Sequence, residues 1–252
     1  MTSFGRQFGL NAATYDAVRP RYPDALFDKI TAVIPAGGSV LELGAGTGIA
    51  TRELLRRGLR VTAVEPDEAM ARELLAKGTG ELEVVICDFE HYEGLRRAFD
   101  AVISAQAWHW FAGASALREV KRLLRHGGIF AAWWNIGSIT DERRSAALAE
   151  VFEETSHRLP ILFRRPDLSA TIGDLARLLQ GDLGFYRVAP LEFTSTVSYT
   201  PGRFVALMST MSEVLTLSTN DREKVVERLQ ETLGAEVIEV SYLTVGFMAF
   251  RS

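Results

Sequence analysis

The sequence predicts an α/β fold in which a doubly wound, mostly parallel sheet has helices on both faces. Two observations carry this prediction. Five short apolar runs recur through residues 39–134, and the segments between them have the spacing and the end signals of helices. Strands that are apolar on both sides need cover on both faces, and the intervening helices supply it.

The predicted strands and helices alternate in order. The strands are Ser39–Leu43, Arg60–Val64, Leu82–Ile86, Phe99–Ser104 and Gly128–Trp134. The helices between them end close to a glycine, the residue that most often follows a helix. They are Ile49–Arg57 before Gly58, Asp67–Lys77 before Gly78 with Asp67 as N-cap, and Ala114–Arg125 before Gly127.

The alternation breaks after Trp134. Helices are predicted at Thr140–Arg158, Gly173–Gln180 and Asp221–Leu233, another helix begins at Thr200-Pro201, and strands are predicted at Phe185–Ser198 and Val237–Phe250. We therefore expect four parts. These are an N-terminal helical cap (1–35), a ligand-binding core (36–134), a lid insertion (135–184), and the rest of the core sheet with its helices (185–252).

Composition restricts the partners. The chain has 28 basic and 32 acidic side chains, so its net charge of −4 offers no basic footprint for a nucleic acid. Its single cysteine, Cys87, cannot form an intramolecular disulfide, and with His91 alone nearby no metal site is predicted. No signal peptide and no apolar stretch long enough for a membrane span is visible, which favours a cytoplasmic protein.

A glycine-rich turn joins the first strand to the first helix. Gly44, Gly46 and Gly48 allow a sharp turn and close approach of a ligand, and Glu65 ends the next strand, where a carboxylate can accept from ribose hydroxyls. The dinucleotide pattern G-x-G-x-x-G requires glycine or alanine at position 49, which is Ile49. The spacing therefore favours a nucleoside ligand without a pyrophosphate over NAD.

These residues resemble a known family. Leu41–Gly48 is similar to motif I of the class I S-adenosylmethionine-dependent methyltransferases with a type 11 methyltransferase domain. Val64–Met70 and Cys87–Glu90 resemble the ends of the family's second and third strands, and Leu123–Gly128 resembles the turn before its fifth strand. The resemblance implies a Rossmann-like seven-stranded sheet with an antiparallel last strand. It also implies S-adenosylmethionine as cofactor and S-adenosylhomocysteine as product.

The resemblance assigns expected roles to individual residues. Glu65 would hold the ribose, Met70 would pack near the adenine, Asp88 would meet its amino group, and Phe89 would lie by its ring. The full set expected to bind the cofactor is Glu42, Gly44, Ala45, Gly46, Thr47, Gly48, Glu65, Pro66, Met70, Asp88, Phe89, Gln106, Trp108, Tyr15 and Arg19.

Two further segments resemble the trans-aconitate-methyltransferase-like subgroup, whose first helices fold over the cofactor. They are Ala105–Phe111 and Tyr15–Pro23. Within them, Arg19 either clamps an anionic group of the cofactor or acceptor, or packs the first helix with Tyr15. Trp108 is expected to line the pocket, and one of Trp133 and Trp134 to enter the core, since neighbours on a strand face opposite sides.

The expected function is methyl transfer to a small-molecule acceptor, at a carboxylate or a hydroxyl. His109 is the candidate catalytic residue, as an acid–base or acceptor-positioning group, with a merely orienting buried histidine as the alternative. Two other functions stay open. One is a non-catalytic protein that binds S-adenosylmethionine or S-adenosylhomocysteine, and the other is an NAD-dependent oxidoreductase.

Overall fold

A seven-stranded sheet forms the centre of the molecule. The computed structural model describes residues 12–111, 113–155, 160–163, 177–181 and 183–252. The strands are β1 (Ser39–Leu43), β2 (Arg60–Val64), β3 (Leu82–Val85), β4 (Phe99–Ala105), β5 (Leu124–Ile139), β6 (Phe185–Tyr199) and β7 (Ile238–Arg251). Their order is β3-β2-β1-β4-β5-β7-β6, with the first five parallel and β7 antiparallel between β5 and β6. The predicted fold class is confirmed.

Helices connect and cover the strands. The described helices are α1 (Ala12–Val18), α2 (Asp24–Thr31), α3 (Ile49–Arg56), α4 (Glu68–Lys77), α5 (Gly113–Leu123), α6 (Glu142–Thr155), α7 (Pro201–Ser209), α8 (Ser212–Leu215) and α9 (Thr219–Leu233). The predicted N-caps are confirmed at Asp67, which accepts from two backbone N–H groups, and at Thr200, which accepts from one. Within the described ranges, no helix is long and apolar enough to cross a bilayer.

Alternate residues of the sheet enter two separate cores. On β4, Ala101 and Ile103 pack with the side chains of α2 and α3, whereas Val102 packs with those of α5. Trp133 is fully buried and packs edge-on against Phe27. Trp134 is half-buried on the other face. The prediction that only one of these neighbours would enter the core is confirmed.

Sheet pairing ends two of the predicted elements earlier than expected. The third strand stops at Val85, where its pairing with β2 ends, and beyond it Ile86 is exposed and Cys87 is half-buried rather than buried. The helix predicted to reach Arg125 ends at Leu123, because Leu124 already pairs with Phe99 in the sheet. Both differences arise from sheet pairing, which local sequence patterns do not report.

The predicted start of the lid at residue 135 falls inside a strand. β5 continues to Ile139 and pairs with β7 throughout, and the outer ends of β5, β6 and β7 carry a third hydrophobic core with α6, α7 and α9. We call these strand ends with α6–α9 the cap; it is a different part of the chain from the predicted N-terminal helical cap of residues 1–35. Much of the rest of the predicted lid lies outside the described residues, including 156–159, 164–176 and 182. Since β5 runs parallel to β4, the cap stands at the carboxyl edge of the sheet.

Candidate functional site

The loop between β1 and α3 turns tightly at its glycines. Gly44, Gly46 and Gly48 have φ values of 68°, 58° and 82°, which favour glycine, and the N–H of Gly44 donates to the Val64 carbonyl at 2.9 Å. A Cβ on Gly44 would lie 2.5 Å from the Cβ of Ala107. A Cβ on Gly46 would meet no protein atom within 4 Å. The space beside the loop is therefore open at Gly46.

Glu65 borders this open space at the end of β2. Its Oε2 accepts from the N–H of Gly46 at 2.7 Å and its Oε1 from that of Asp67 at 2.9 Å. Burial raises the pKa of Glu65 to about 7, although both backbone N–H groups act in the opposite direction. Each carboxylate oxygen has a further lone pair, so the arrangement fits the two hydroxyls of a ribose placed over Gly46.

Glu42 at the end of β1 and two further residues of the loop are turned into the protein. Glu42 is buried and accepts from the Thr51 hydroxyl of α3 at 2.5 Å, and burial raises its pKa to about 8. Ala45 and Thr47 are also buried, and the Thr47 hydroxyl donates to Asp16 of α1 at 2.9 Å. The described contacts of Glu42 and Thr47 therefore hold the loop against α3 and α1.

Apolar side chains lie where the resemblance expects adenine. Phe89 is buried in a short 3₁₀ turn, and its ring meets that of Phe111 edge-on at 5.5 Å. Met70 is buried in α4, and its N–H donates to Asp67 at 3.1 Å. Asp88 precedes Phe89 with a side chain 14% exposed, and Pro66 is half-buried after Glu65. Contact of these residues with adenine remains a prediction.

The segment after β4 turns sharply at Gln106. Its φ of 58° is uncommon for a residue other than glycine, and its side-chain amide donates to the Asn135 carbonyl at 3.3 Å. Trp108 follows in a 3₁₀ turn and is buried, with its ring 4.7 Å from that of Phe130. Trp108 thus packs chiefly within the core rather than lining an open wall.

His109 is exposed as a residue, but its ring is held by neighbours. The indole N–H of Trp134 donates to Nδ1 at 3.2 Å, and the ring tilts against Trp110 with centroids 4.8 Å apart. Desolvation lowers the pKa of His109 to about 4, and the carboxylate of Glu213 offsets only part of this shift. The imidazole is therefore neutral at pH 7. Because the indole N–H of Trp134 can only donate, Nδ1 of His109 is the acceptor, and the proton of the neutral imidazole is on Nε2.

Tyr15 and Arg19 belong to α1 and the residues just after it. The Arg19 guanidinium stacks on the Tyr15 ring at 4.4 Å. It also donates to Thr210, to the hydroxyl at 3.0 Å and to the carbonyl at 2.7 Å. Arg19 therefore ties α1 to the cap at the end of α7, and its predicted contact with the cofactor remains a prediction.

Asp16 is a buried acidic residue of α1 that the sequence pattern does not mark. Its carboxylate is buried and takes hydrogen bonds from Thr47, Arg52 and Lys77 at 2.6–2.9 Å. Burial alone would raise its pKa, but the hydrogen bonds from Lys77 and Arg52 outweigh it and hold the pKa well below its usual range. No local signal marks this residue, because its partners lie 31–61 residues along the chain.

The site therefore has two halves at the carboxyl edge of the sheet. The glycine loop, Glu65 and the Asp88–Phe89 turn form one half, and His109, Trp134 and Arg19 lie toward the cap. Within the described part of the chain, no group of three or more His, Cys, Asp or Glu side chains could hold a metal ion.

Comparison with known proteins gives a consistent result. A family model described as a methyltransferase domain matches residues 41–132. An uncharacterized methyltransferase of Mycobacterium tuberculosis H37Rv is 31% identical over 90% of this chain and 85% of that protein. A solved protein of Anaeromyxobacter dehalogenans, provisionally named a type II methyltransferase, gives a TM-score of 0.66 at 25% identity over 91% of this chain and 97% of that one.

A more distant structure shares the fold. Phosphoethanolamine N-methyltransferase 2 of Haemonchus contortus, solved with phosphomonomethylethanolamine and S-adenosylhomocysteine, gives a TM-score of 0.55 at 17% identity. The alignment covers 100% of this chain and 60% of that one.

The mixed sheet, the glycine loop and the acidic end of β2 define a class I Rossmann-like methyltransferase. The chain belongs to the methyltransferase family of its matched domain and uses S-adenosylmethionine as methyl donor. The oxidoreductase alternative is therefore set aside.

Proposed function

We propose that this enzyme belongs to the trans-aconitate-methyltransferase-like subgroup and methylates a carboxylate oxygen of a small anionic molecule in the cytoplasm. Bound S-adenosylmethionine supplies an electrophilic sulfonium methyl group whose leaving group is a neutral thioether. A carboxylate oxygen attacks the methyl carbon with its lone pair while the C–S electrons stay on sulfur. The products are a methyl ester and S-adenosylhomocysteine, and no proton has to move.

The hydrogen bond from Trp134 to Nδ1 of His109 is the observation that carries this proposal. Trp134 donates to Nδ1, so the neutral ring presents an N–H at its other nitrogen. That N–H can hold an acceptor oxygen but cannot remove a proton. A carboxylate, with a usual pKa of about 4, is already ionised at neutral pH, whereas a hydroxyl would need a base. His109 thus supports positioning of a carboxylate more than acid–base work.

Charge around the cap also supports an anionic acceptor. Arg19 and Arg203 donate to neutral groups, Thr210 and the Ala17 carbonyl, and neither forms an ion pair with another described residue. Both guanidiniums act electrostatically on the buried tyrosine pair Tyr199 and Tyr242. Two such cations beside one edge of the site favour a negatively charged ligand.

The cofactor half keeps the roles expected from the resemblance. Glu65 would accept from the ribose hydroxyls, the Gly46 region would admit the nucleoside, and Asp88 with Phe89 would contact the adenine. We propose that the described parts of the N-terminal segment and of the 135–184 region enclose the acceptor. Holding the acceptor and methyl carbon in line in an enclosed site can contribute about 7–11 kcal/mol.

A transfer assay with methyl-labelled S-adenosylmethionine tests the proposal. Small di- and tricarboxylic acids are compared with the matching alcohols, and each labelled product is treated with mild alkali. We expect label only from the acids, in a product that releases methanol. An alkali-stable product from the alcohols would overturn the carboxylate assignment. S-Adenosylhomocysteine binding without transfer to any of these acids would contradict the proposed class of acceptor.

A further inference from the structure

Asp16 is a buried carboxylate that the proposed chemistry does not use. Only 4% of its side chain is exposed, and it lies on α1, outside the glycine loop and the strand ends. An ionised carboxylate in such a place needs charge partners and hydrogen bonds. What it contacts therefore indicates what it does.

The partners of Asp16 come from three separate parts of the cofactor half. Oδ1 accepts hydrogen bonds from the Arg52 guanidinium of α3 at 2.6 Å and from the Thr47 hydroxyl at 2.9 Å. Oδ2 accepts one from the Lys77 ammonium of α4 at 2.7 Å. Arg21 adds a weaker contact at 3.4 Å. The carboxylate thus joins α1 to the glycine loop and to the two helices beside it.

Thr47 is the residue through which this joint reaches the ligand site. Its hydroxyl donates to Asp16, and its carbonyl accepts from the other Nη of Arg52 at 2.7 Å, so the peptide is held on both sides. It stands between Gly46 and Gly48, two glycines in the left-handed region. The neighbouring Gly46 N–H donates to Glu65. Movement of Thr47 would therefore misalign the loop against the ribose-side carboxylate.

The opposite side of α1 is fastened to the cap. The Ala17 carbonyl accepts from Arg203 at 3.3 Å, and Arg19 donates twice to Thr210. Helix α1 is therefore bonded both to the cap and to the cofactor half of the molecule.

We propose that Asp16 is a positioning residue for cofactor binding, which acts through Thr47 on the shape of the glycine loop. This proposal rests on the proposed function only in that the loop binds an adenosyl cofactor. It assigns Asp16 a role in affinity for that cofactor and none in the methyl-transfer step itself.

Calorimetric titration with S-adenosylhomocysteine, together with steady-state kinetics, tests the proposal. We expect Asp16→Asn and Thr47→Val to weaken binding at least tenfold and to raise the KM for S-adenosylmethionine equally. The kcat at saturating cofactor should stay within about threefold. Thr47→Ser should recover most of the affinity that Thr47→Val loses, because it restores the hydroxyl.

The control is Asp24→Asn on α2, whose carboxylate pairs with Arg56 and Arg57 at the surface and is 74% exposed. It should bind like wild type. If Asp16→Asn fails to fold, as judged by circular dichroism, Thr47→Val carries the test because it keeps the ionic contacts. Wild-type affinity in folded Asp16→Asn and Thr47→Val would overturn the positioning role, whereas no binding by wild type would instead count against the cofactor assignment.

Discussion

Replacing Gly46 by alanine tests whether the open space beside the loop is the ligand site. Alanine at φ 58° destabilises the folded state by about 1–2 kcal/mol. It also lowers the conformational entropy of the unfolded chain, which offsets about 0.4–1 kcal/mol of that loss. The net loss of stability is roughly 0–1.6 kcal/mol, because the added Cβ meets no protein atom within 4 Å and adds no clash. The same Cβ enters the space where the nucleoside would lie. S-Adenosylhomocysteine should therefore bind at least tenfold more weakly.

Gly37→Ala is the matched control for Gly46→Ala, and Gly44→Ala is a more strongly destabilised comparison. Gly37 has a similar φ of 65° and equally open surroundings, but it precedes β1, away from the site. Gly37→Ala should lose the same stability and no affinity. Gly44→Ala adds the contact with Ala107 at 2.5 Å, where overpacking costs a further 1–3 kcal/mol or so.

Urea denaturation and calorimetry measure these two effects separately. Gly37→Ala and Gly46→Ala should lose the same amount of stability, and Gly44→Ala should be the least stable of the three variants. Unchanged affinity in Gly46→Ala would refute the placement of the ligand over this loop, because the glycine would then serve only the turn.

Three further substitutions test the electrostatics. Trp134→Phe removes the indole donor and part of the shielding of His109 from water. The pKa of His109, measured by NMR, should therefore rise from about 4 toward its usual value. No rise would show that Trp134 does not hold the ring. The pKa of Glu42 is raised to about 8 when folded, so wild-type stability should fall as pH rises from about 4.5 through 8. In Glu42→Gln the urea midpoint should change less between pH 5.5 and 8.5, and an identical slope would contradict the buried, protonated carboxyl. Glu65→Gln should weaken S-adenosylhomocysteine binding about 10–100-fold, because a hydrogen bond to a charged group contributes roughly 1.5–3 kcal/mol. An unchanged affinity by calorimetry would show that Glu65 does not bind the ribose.

The central sheet could be predicted because its strands carry their own signals. The runs that became β1, β2 and β4 are apolar on both faces, and the helices between them end near glycines. The extension of β5 had no such signal, since Asn135, Gly137 and Ser138 are typical of a loop. A Cβ on Gly137 would lie 3.0 Å from Phe163 and Tyr242, so close packing explains the glycine there. Only the fold reveals those neighbours.

The candidate site divides in the same way. Glu65 could be found from its spacing after the glycine turn, because strand ends of a parallel sheet meet at one edge. Asp16 could not be found, because its role depends on contacts with α3 and α4 that no local pattern encodes. The protonation of His109 likewise depends on Trp134, which lies 25 residues away.

The pH dependence of kcat with the acceptor found by the transfer assay tests the central claim most directly. If His109 positions an ionised carboxylate through its Nε2–H, kcat should be level between about pH 6 and 8, because neither group titrates in that range. A rising limb with an apparent pKa near 6.5, lost in His109→Gln, would contradict this account and show that His109 acts as a base.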